Sequence, residues 1–175
     1  MKSPPAPEIE DFGLLGRCFV GRQFAWGLLQ DRLGRVRRRF TADIEGRVEN
    51  SVLILDEAFL FDDGERSHRQ WRISATSPGR FEGKADDIIG KARGAELPWG
   101  LSWNYRMALP IRGRNIAFDF CDRMYPQAGG AIINRVEIRK LGFRVGDLTL
   151  IFLRQEQAGR GRVGDVIAPS AVAAA

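Results

Sequence analysis

The sequence predicts an all-β protein, a single antiparallel up-and-down β-barrel of about ten strands. Three observations carry this reading. Turn signals recur at intervals of roughly 8–12 residues, the spacing of a sandwich or barrel. Several runs between the turns alternate apolar and polar residues with period two, which gives each strand a buried and a wet face. No window of about 12 residues carries a helical apolar stripe. Short antiparallel strands must also manage their edges. Closure into a barrel does so most simply, with a two-sheet sandwich as the alternative.

The strand-like runs are Phe24–Gln30, Val36–Glu45, Val52–Phe61, His68–Ala75, Phe81–Asp86, Ile88–Ala95, Leu101–Leu109, Asn115–Met124, Ala131–Lys140 and Val145–Arg154. Glu45-Gly46, Asp62-Asp63-Gly64-Glu65, Ser77-Pro78-Gly79, Arg112-Gly113-Arg114-Asn115, Gln127–Gly130 and Leu141-Gly142 supply turns. Leu101, Trp103, Tyr105, Met107 and Leu109 share one face, and Ser102, Asn104, Arg106 and Ala108 the other. Ile116, Phe118 and Phe120 oppose Asn115, Ala117 and Asp119, and Trp71 and Ile73 oppose Gln70, Arg72 and Ser74. Val52–Phe61 and Leu148–Leu153 are apolar on both faces, so they are expected to lie beneath a capping segment, the opposite barrel wall or another subunit. Residues 1–10 are Pro-rich and 155–175 mix Gly, Arg and Ala. Both are read as flexible tails around a barrel domain over 11–154.

A chain of 175 residues, 44% of them hydrophobic, can bury a core as one domain. Its charged fraction of 28% and its 10% of aromatics exclude a mostly disordered chain. No apolar run approaches the ~18 residues of a bilayer-spanning helix. Two cysteines exclude a four-cysteine zinc module or a disulfide-dense scaffold, and one histidine excludes any site that needs two. The N-terminus lacks the basic start and apolar stretch of a secretory signal. Leu14-Leu15-Gly16-Arg17-Cys18 resembles a lipoprotein cleavage box, but Arg17 stands where a small residue belongs. The expected compartment is the cytoplasm, with Cys18 and Cys121 as free packing thiols. The net charge of +5 favours peripheral contact with an anionic membrane surface.

Several motifs have a plainer reading beside the chemical one. Gly159-Arg160-Gly161-Arg162-Val163-Gly164 fits a dinucleotide-loop pattern, but no βαβ context surrounds it. Arg32, Arg35, Arg37, Arg38 and Arg39 form the densest basic cluster. It reads as a solvated face, as an anion or lipid-headgroup contact, or as a nucleic-acid patch. Arg38 is its odd member, because Val36, Arg38, Phe40, Ala42 and Ile44 fall on one face; a buried arginine there needs an anionic partner. Asp62–Glu65 is first a hairpin turn, since the twelfth-position Glu of a calcium loop is missing. Asp56 and Glu57 project to opposite faces, so one of them is expected to point inward and pair with an arginine. His68 reads as an exposed side chain, and neither Ser67, Ser102 nor either cysteine has a nucleophile signature.

The stretches Leu101–Pro110 and Ile116–Tyr125, with Asn134-Arg135 on the next strand, interleave large apolar side chains with Asn, Arg and Asp. That is the composition of an apolar pocket with a few convergent polar groups, and equally of a closed internal salt-bridge network.

Ala25-Trp26-Gly27, Gln30-Asp31-Arg32, Arg37–Phe40, Leu55-Asp56-Glu57, Phe61–Glu65, Arg69-Gln70-Trp71, Gly83–Gly90, Tyr105–Pro110, Met124-Tyr125 and Ile133-Asn134-Arg135 together carry a family likeness. In them the chain resembles, from about Phe19 to Arg154, the bacterial family catalogued as domain of unknown function 3833, many of whose members look like small lipoproteins. The resemblance implies a lipocalin-like barrel and no established activity. Its members often stand beside genes resembling cyclopropane-fatty-acid synthase, an associational link to membrane lipids. Where the family reads Phe-Asp-Asp-Trp-Met-Tyr, this chain has Cys121 and Arg123 in place of the first Asp and the Trp.

The leading expectation is therefore a barrel that binds a fatty acyl chain or another apolar ligand. Arg38, Arg106 and Arg135 would supply positive charge for a carboxylate or headgroup, and Trp103, Tyr105, Phe118 and Phe120 the wall. Tyr125 and Asn134 complete the candidate ligand-binding set. No catalytic residue, metal ligand or cofactor is assigned. The alternative is a lipid-modifying enzyme or accessory subunit using Asp119, Asp122 or Glu57 as acid or base and Tyr125 as donor. A solid barrel acting through its surface, and a nucleic-acid binder, are the remaining classes.

Overall fold

The computed structural model describes residues 9–155. A 3₁₀ turn (Ile9–Phe12) runs into a short helix, α1 (Gly13–Phe19). Ten strands follow: β1 (Gly21–Asp31), β2 (Val36–Glu49), β3 (Val52–Phe61), β4 (Arg66–Ser77), β5 (Arg80–Lys84), β6 (Ile88–Leu97), β7 (Gly100–Ile111), β8 (Arg114–Pro126), β9 (Ile132–Lys140) and β10 (Phe143–Arg154). Each strand pairs antiparallel with its neighbour in sequence, and β1 closes on β10 from Gln23↔Arg154 to Asp31↔Gly146. The product is a closed, lipocalin-like up-and-down barrel with no free edge.

Antiparallel alternation sorts the connections between two ends. The β1–β2, β3–β4, β5–β6, β7–β8 and β9–β10 turns ring the mouth, and the other four ring the base. The base is plugged by the 3₁₀ turn and α1. The sequence pattern predicts no helix, and the structure differs here. The element is too short to make a long apolar stripe, and glycines at 13 and 16 dilute the one it has. Phe12, Leu15, Cys18 and Phe19 are nevertheless buried on its inner side. Phe19 stands edge-on to Phe152 with centroids 5.3 Å apart. The helix ends are satisfied from the barrel. The Glu96 carboxylate accepts from the Leu14 N–H at 3.0 Å, while the Gln23 and Arg154 side chains donate to the carbonyls of Cys18 and Arg17. Residues 9 and 10, expected in the N-terminal tail, belong to this plug. Gln155, the first residue of the expected C-terminal tail, is the last described residue; the rest of the expected tails and the Gly159–Gly164 pattern lie outside the described residues.

The interior is built by size complementation. Ala25, Ala42 and Ala92 are fully buried beside large rings. The Trp103 indole lies over Gly83 and Gly94, where a Cβ would overlap it, and the Phe40 ring lies over Gly27 in the same way. Trp71 packs edge-on against both Trp103 and Tyr105, and Tyr105 stacks on Phe120 at 5.1 Å. Of the two strands apolar on both faces, β3 buries its outward Ile54 but leaves Leu60 41% exposed; β10 leaves its outward Ile151 45% exposed. Cys18 and Cys121 are free thiols. No helix among the described residues is long and apolar enough to cross a membrane.

Candidate functional site

The barrel encloses a cavity of ≈ 280 Å³, near the lower end of the ~300–1,000 Å³ typical of small-molecule sites. It runs from the plug, where Leu15 and Phe19 form its floor, to Arg38, Phe61 and Leu109 near the mouth. Along β2 its wall is Arg38, Phe40, Ala42 and Ile44, a span of about 20 Å at strand rise. Most of the wall is aromatic or aliphatic.

The polar lining is arranged by depth. At the mouth Arg38 stacks on Phe61, 3.7 Å from the ring centroid, and donates to Asp63 at 2.7 Å and Glu65 at 2.5 Å on the β3–β4 turn. Below it the Arg69 guanidinium grips Asp87 through Nε and Nη2 at 2.7–3.1 Å and lies 3.7 Å from Glu57. Tyr105 and Glu57 occupy the middle. Deepest is a buried pair, in which Asn134 Nδ2 donates to Asp122 Oδ2 at 3.0 Å. The other oxygens of this pair, Asp122 Oδ1 and Asn134 Oδ1, are buried with no hydrogen-bond partner in the protein.

Burial governs the charge states. Desolvation pushes Asp122 up to about 7, with the Glu57 charge adding to the rise and Asn134 opposing it. Desolvation likewise pushes Glu57 up to about 7, against the pull of Arg69 and the Trp71 side chain. The Glu57 side chain keeps 15% exposure, but it lines the cavity, so that exposure is to the barrel interior. Burial also drives the Tyr105 phenol well above its usual range. Arg69 stays charged: burial works against its charge, and Asp87 and Glu57 more than restore it. Among the described residues, both arginines that line the cavity are thus paired with carboxylates, although the Arg38 Nε is buried without a partner, and the deepest polar pair leaves Asp122 Oδ1 and Asn134 Oδ1 unpartnered.

The candidate residues separate by face. Trp103, Tyr105, Phe120, Asn134 and, at the mouth, Arg38 line the cavity. Phe118 points to the same side as Phe120 and packs against the core, near Lys140, outside the cavity lining. Arg106 is a correction. It lies on the outer surface, 56% exposed, bonded to Asp119 at 2.8 Å. Asp119 goes outside with it. Arg135 is exposed on the outside of β9, because Asn134 beside it faces in. Tyr125 also faces outward, packed on Trp99 at 5.2 Å. The expectation for Asp56 and Glu57 matches the structure: Glu57 turns inward beside Arg69, and Asp56 turns outward to Arg47. His68 is exposed, 3.5 Å from Asp56.

Arg69 is the functional side chain that the site reading missed. Its signal was present, since it precedes Trp71 by two positions and so shares the inward face of β4.

Comparison with known proteins agrees with this architecture. No curated protein matches the sequence. The solved structure of an S-type phycobiliprotein lyase, CPES, from Guillardia theta superposes with a TM-score of 0.52 at 10% identity, covering 85% of this chain and 96% of that one. At that identity the likeness is one of fold. The family model described as protein of unknown function (DUF3833) matches residues 10–154, from the plug to the last strand, and the chain belongs to that family.

Proposed function

We propose that the barrel binds a small, largely apolar molecule, of fatty-acyl or similar shape, whose polar end donates hydrogen bonds and carries no negative charge. The observation that carries the reading is the mismatch of polar groups inside the cavity. The charges of Arg38 and Arg69 are matched by their own carboxylates, with the Arg38 Nε near the mouth left without an acceptor, while deep in the cavity Asp122 Oδ1 and Asn134 Oδ1 have no partner. An unmet buried acceptor costs about 1–3 kcal/mol, which a hydroxyl, amide or ammonium on the ligand would recover. The aromatic and aliphatic wall would stabilise the rest at about 0.8 kcal/mol per buried methylene. Deep in the cavity a carboxylate would meet Glu57 and Asp122, which are charged above about pH 7, while both lining arginines are already paired with carboxylates. The barrel shape shared with a lyase of phycobiliproteins also supports a small-ligand role.

A chain-matched series tests this: an alcohol, an amine, a methyl ester and a carboxylate of one alkyl length, titrated against a bound fluorescent probe. The alcohol and amine should bind at least tenfold tighter than the ester, and the carboxylate weakest. A carboxylate that binds tightest would overturn the polarity, and no displacement by any member would overturn the cavity reading. Native mass spectrometry of protein purified gently from its own host would identify the resident ligand class.

One observation favours a second reading. Glu57 and Asp122, both raised to about 7 in one cavity, are placed to exchange protons at neutral pH. In a lipid-modifying enzyme they would act as acid and base, with Tyr105 rather than the outward Tyr125 as donor. Turnover of unsaturated lipids that Glu57→Gln abolishes without loss of binding would select this reading over passive binding.

A further inference from the structure

The rim of the mouth is divided in two. Barrel order places the β1–β2, β9–β10 and β7–β8 turns side by side, and the β5–β6 and β3–β4 turns complete the ring. The first three carry large apolar side chains in the open: Leu33 63% exposed, Val36 41%, Ile111 38%, Leu141 87% and Phe143 77%. Arg32, Arg35, Arg112, Arg114 and Lys140 stand among them, and among the described residues none of these five is in an ion pair. The other two turns carry Asp62, Asp63, Glu65, Asp86 and Asp87, flanked by Arg66 and Lys84 and by the half-exposed Leu60 and Ile89. One half of the rim therefore concentrates unpaired basic charge and the most exposed apolar tips, and the other is richer in acidic side chains.

Local chemistry makes the apolar half harder to dismiss as ordinary surface. Leu141-Gly142 and Arg112-Gly113 are two-residue hairpin turns with both residues at positive φ: 50° and 83°, 48° and 74°. Asn or Asp is the usual first residue of such turns, because its short side chain tolerates the left-handed region. A leucine there gains neither from its backbone conformation nor from burial. Broken local rules without folding compensation mark functional surface.

We propose that this half of the rim docks on an anionic lipid bilayer, independently of what the cavity holds. The tips of Leu33, Leu141 and Phe143 enter the interfacial layer while the flanking arginines meet the phosphates. The other half, where only Asp62 and Asp86 lack an ion-pair partner among the described residues, offers the phosphates no comparable attraction, so the barrel tilts with its mouth toward the membrane. An apolar molecule can then pass between bilayer and cavity without crossing water.

Co-sedimentation with vesicles of phosphatidylcholine, alone or with about a third phosphatidylglycerol, tests the proposal. The protein should partition at least tenfold more strongly onto the anionic vesicles, and high salt should weaken that partition. Leu141→Asp with Phe143→Asp, and separately Arg112→Glu with Arg114→Glu, should each reduce it at least tenfold. These side chains are exposed, so thermal melts and probe binding in the cavity should stay at wild-type values. Absence of binding to anionic vesicles, or binding unchanged in both variants, would overturn the proposal. So would loss of binding only on substituting Trp26 and Ile151, on the side of the barrel. Concentration-dependent dimers abolished by the Leu141/Phe143 change, without vesicle binding, would assign the surface to a second copy instead.

Discussion

Replacing Asp122 by asparagine should stabilise the protein at neutral and alkaline pH. In the unfolded chain this carboxyl loses its proton near its ordinary value of 3.8; in the barrel burial holds the proton until about pH 7. Between those values the folded state binds the extra proton, so this group's contribution to stability falls as pH rises. Above the folded pKa the loss is complete and constant. At about 1.4 kcal/mol per pH unit over that interval, the full penalty is about 4 kcal/mol. Asparagine has no proton to lose, and its amide oxygen can still accept the hydrogen bond from Asn134. Urea unfolding of both proteins between pH 4 and pH 8 reads the difference directly. The two should match near pH 4 and diverge to about 4 kcal/mol in favour of the variant by pH 8. Parallel profiles, or a variant less stable at pH 8, would refute the assignment of a buried, proton-retaining carboxyl.

Other substitutions probe the same interior. Gly94→Ala places a methyl against the buried Trp103 indole and should cost about 1–3 kcal/mol; an unchanged urea midpoint would mean that the ring can move aside. Arg69→Met leaves Asp87 and Glu57 without their cation and should cost about 3 kcal/mol at pH 8, and less at pH 5, where Glu57 holds its proton; equal losses at both would refute that ionic role. Leu15→Ala removes part of the cavity floor and should cost about 2–5 kcal/mol while admitting a longer alkyl probe; an unaltered chain-length preference would show that the plug does not bound the site.

The strands were legible because period-two alternation and turn residues act locally. The face of Arg38 followed from Phe40, Ala42 and Ile44, and Glu57 inward required Asp56 outward. That same rule separates the outward arginines from the cavity. Arg106 alternates with Tyr105, so the same rule places it on the outer face with Ser102 and Asn104, away from a ligand. Arg135 adjoins Asn134, so only one of the two could face inward. The plug was illegible for a different reason: the ends of its few helical residues are satisfied in part by Glu96 and Arg154, distant in sequence, as well as by nearby Gln23. Charge pairing inside the cavity was also hidden. Arg69 meets Asp87 only once β4 and the β5–β6 turn come together in three dimensions.

The seam between the first and last strands sets the order in which this molecule can be made. Until β10 has joined β1, the barrel is an open sheet with two unpaired margins, and Phe19 has no Phe152 to rest on. Joining strands from opposite ends of the chain closes the longest loop available, a slow step. A chain growing from its N-terminus exposes β1, with Trp26 on its outer side, throughout synthesis. Damage to β10 would therefore be felt as self-association of nascent chains before it was felt as weakened binding.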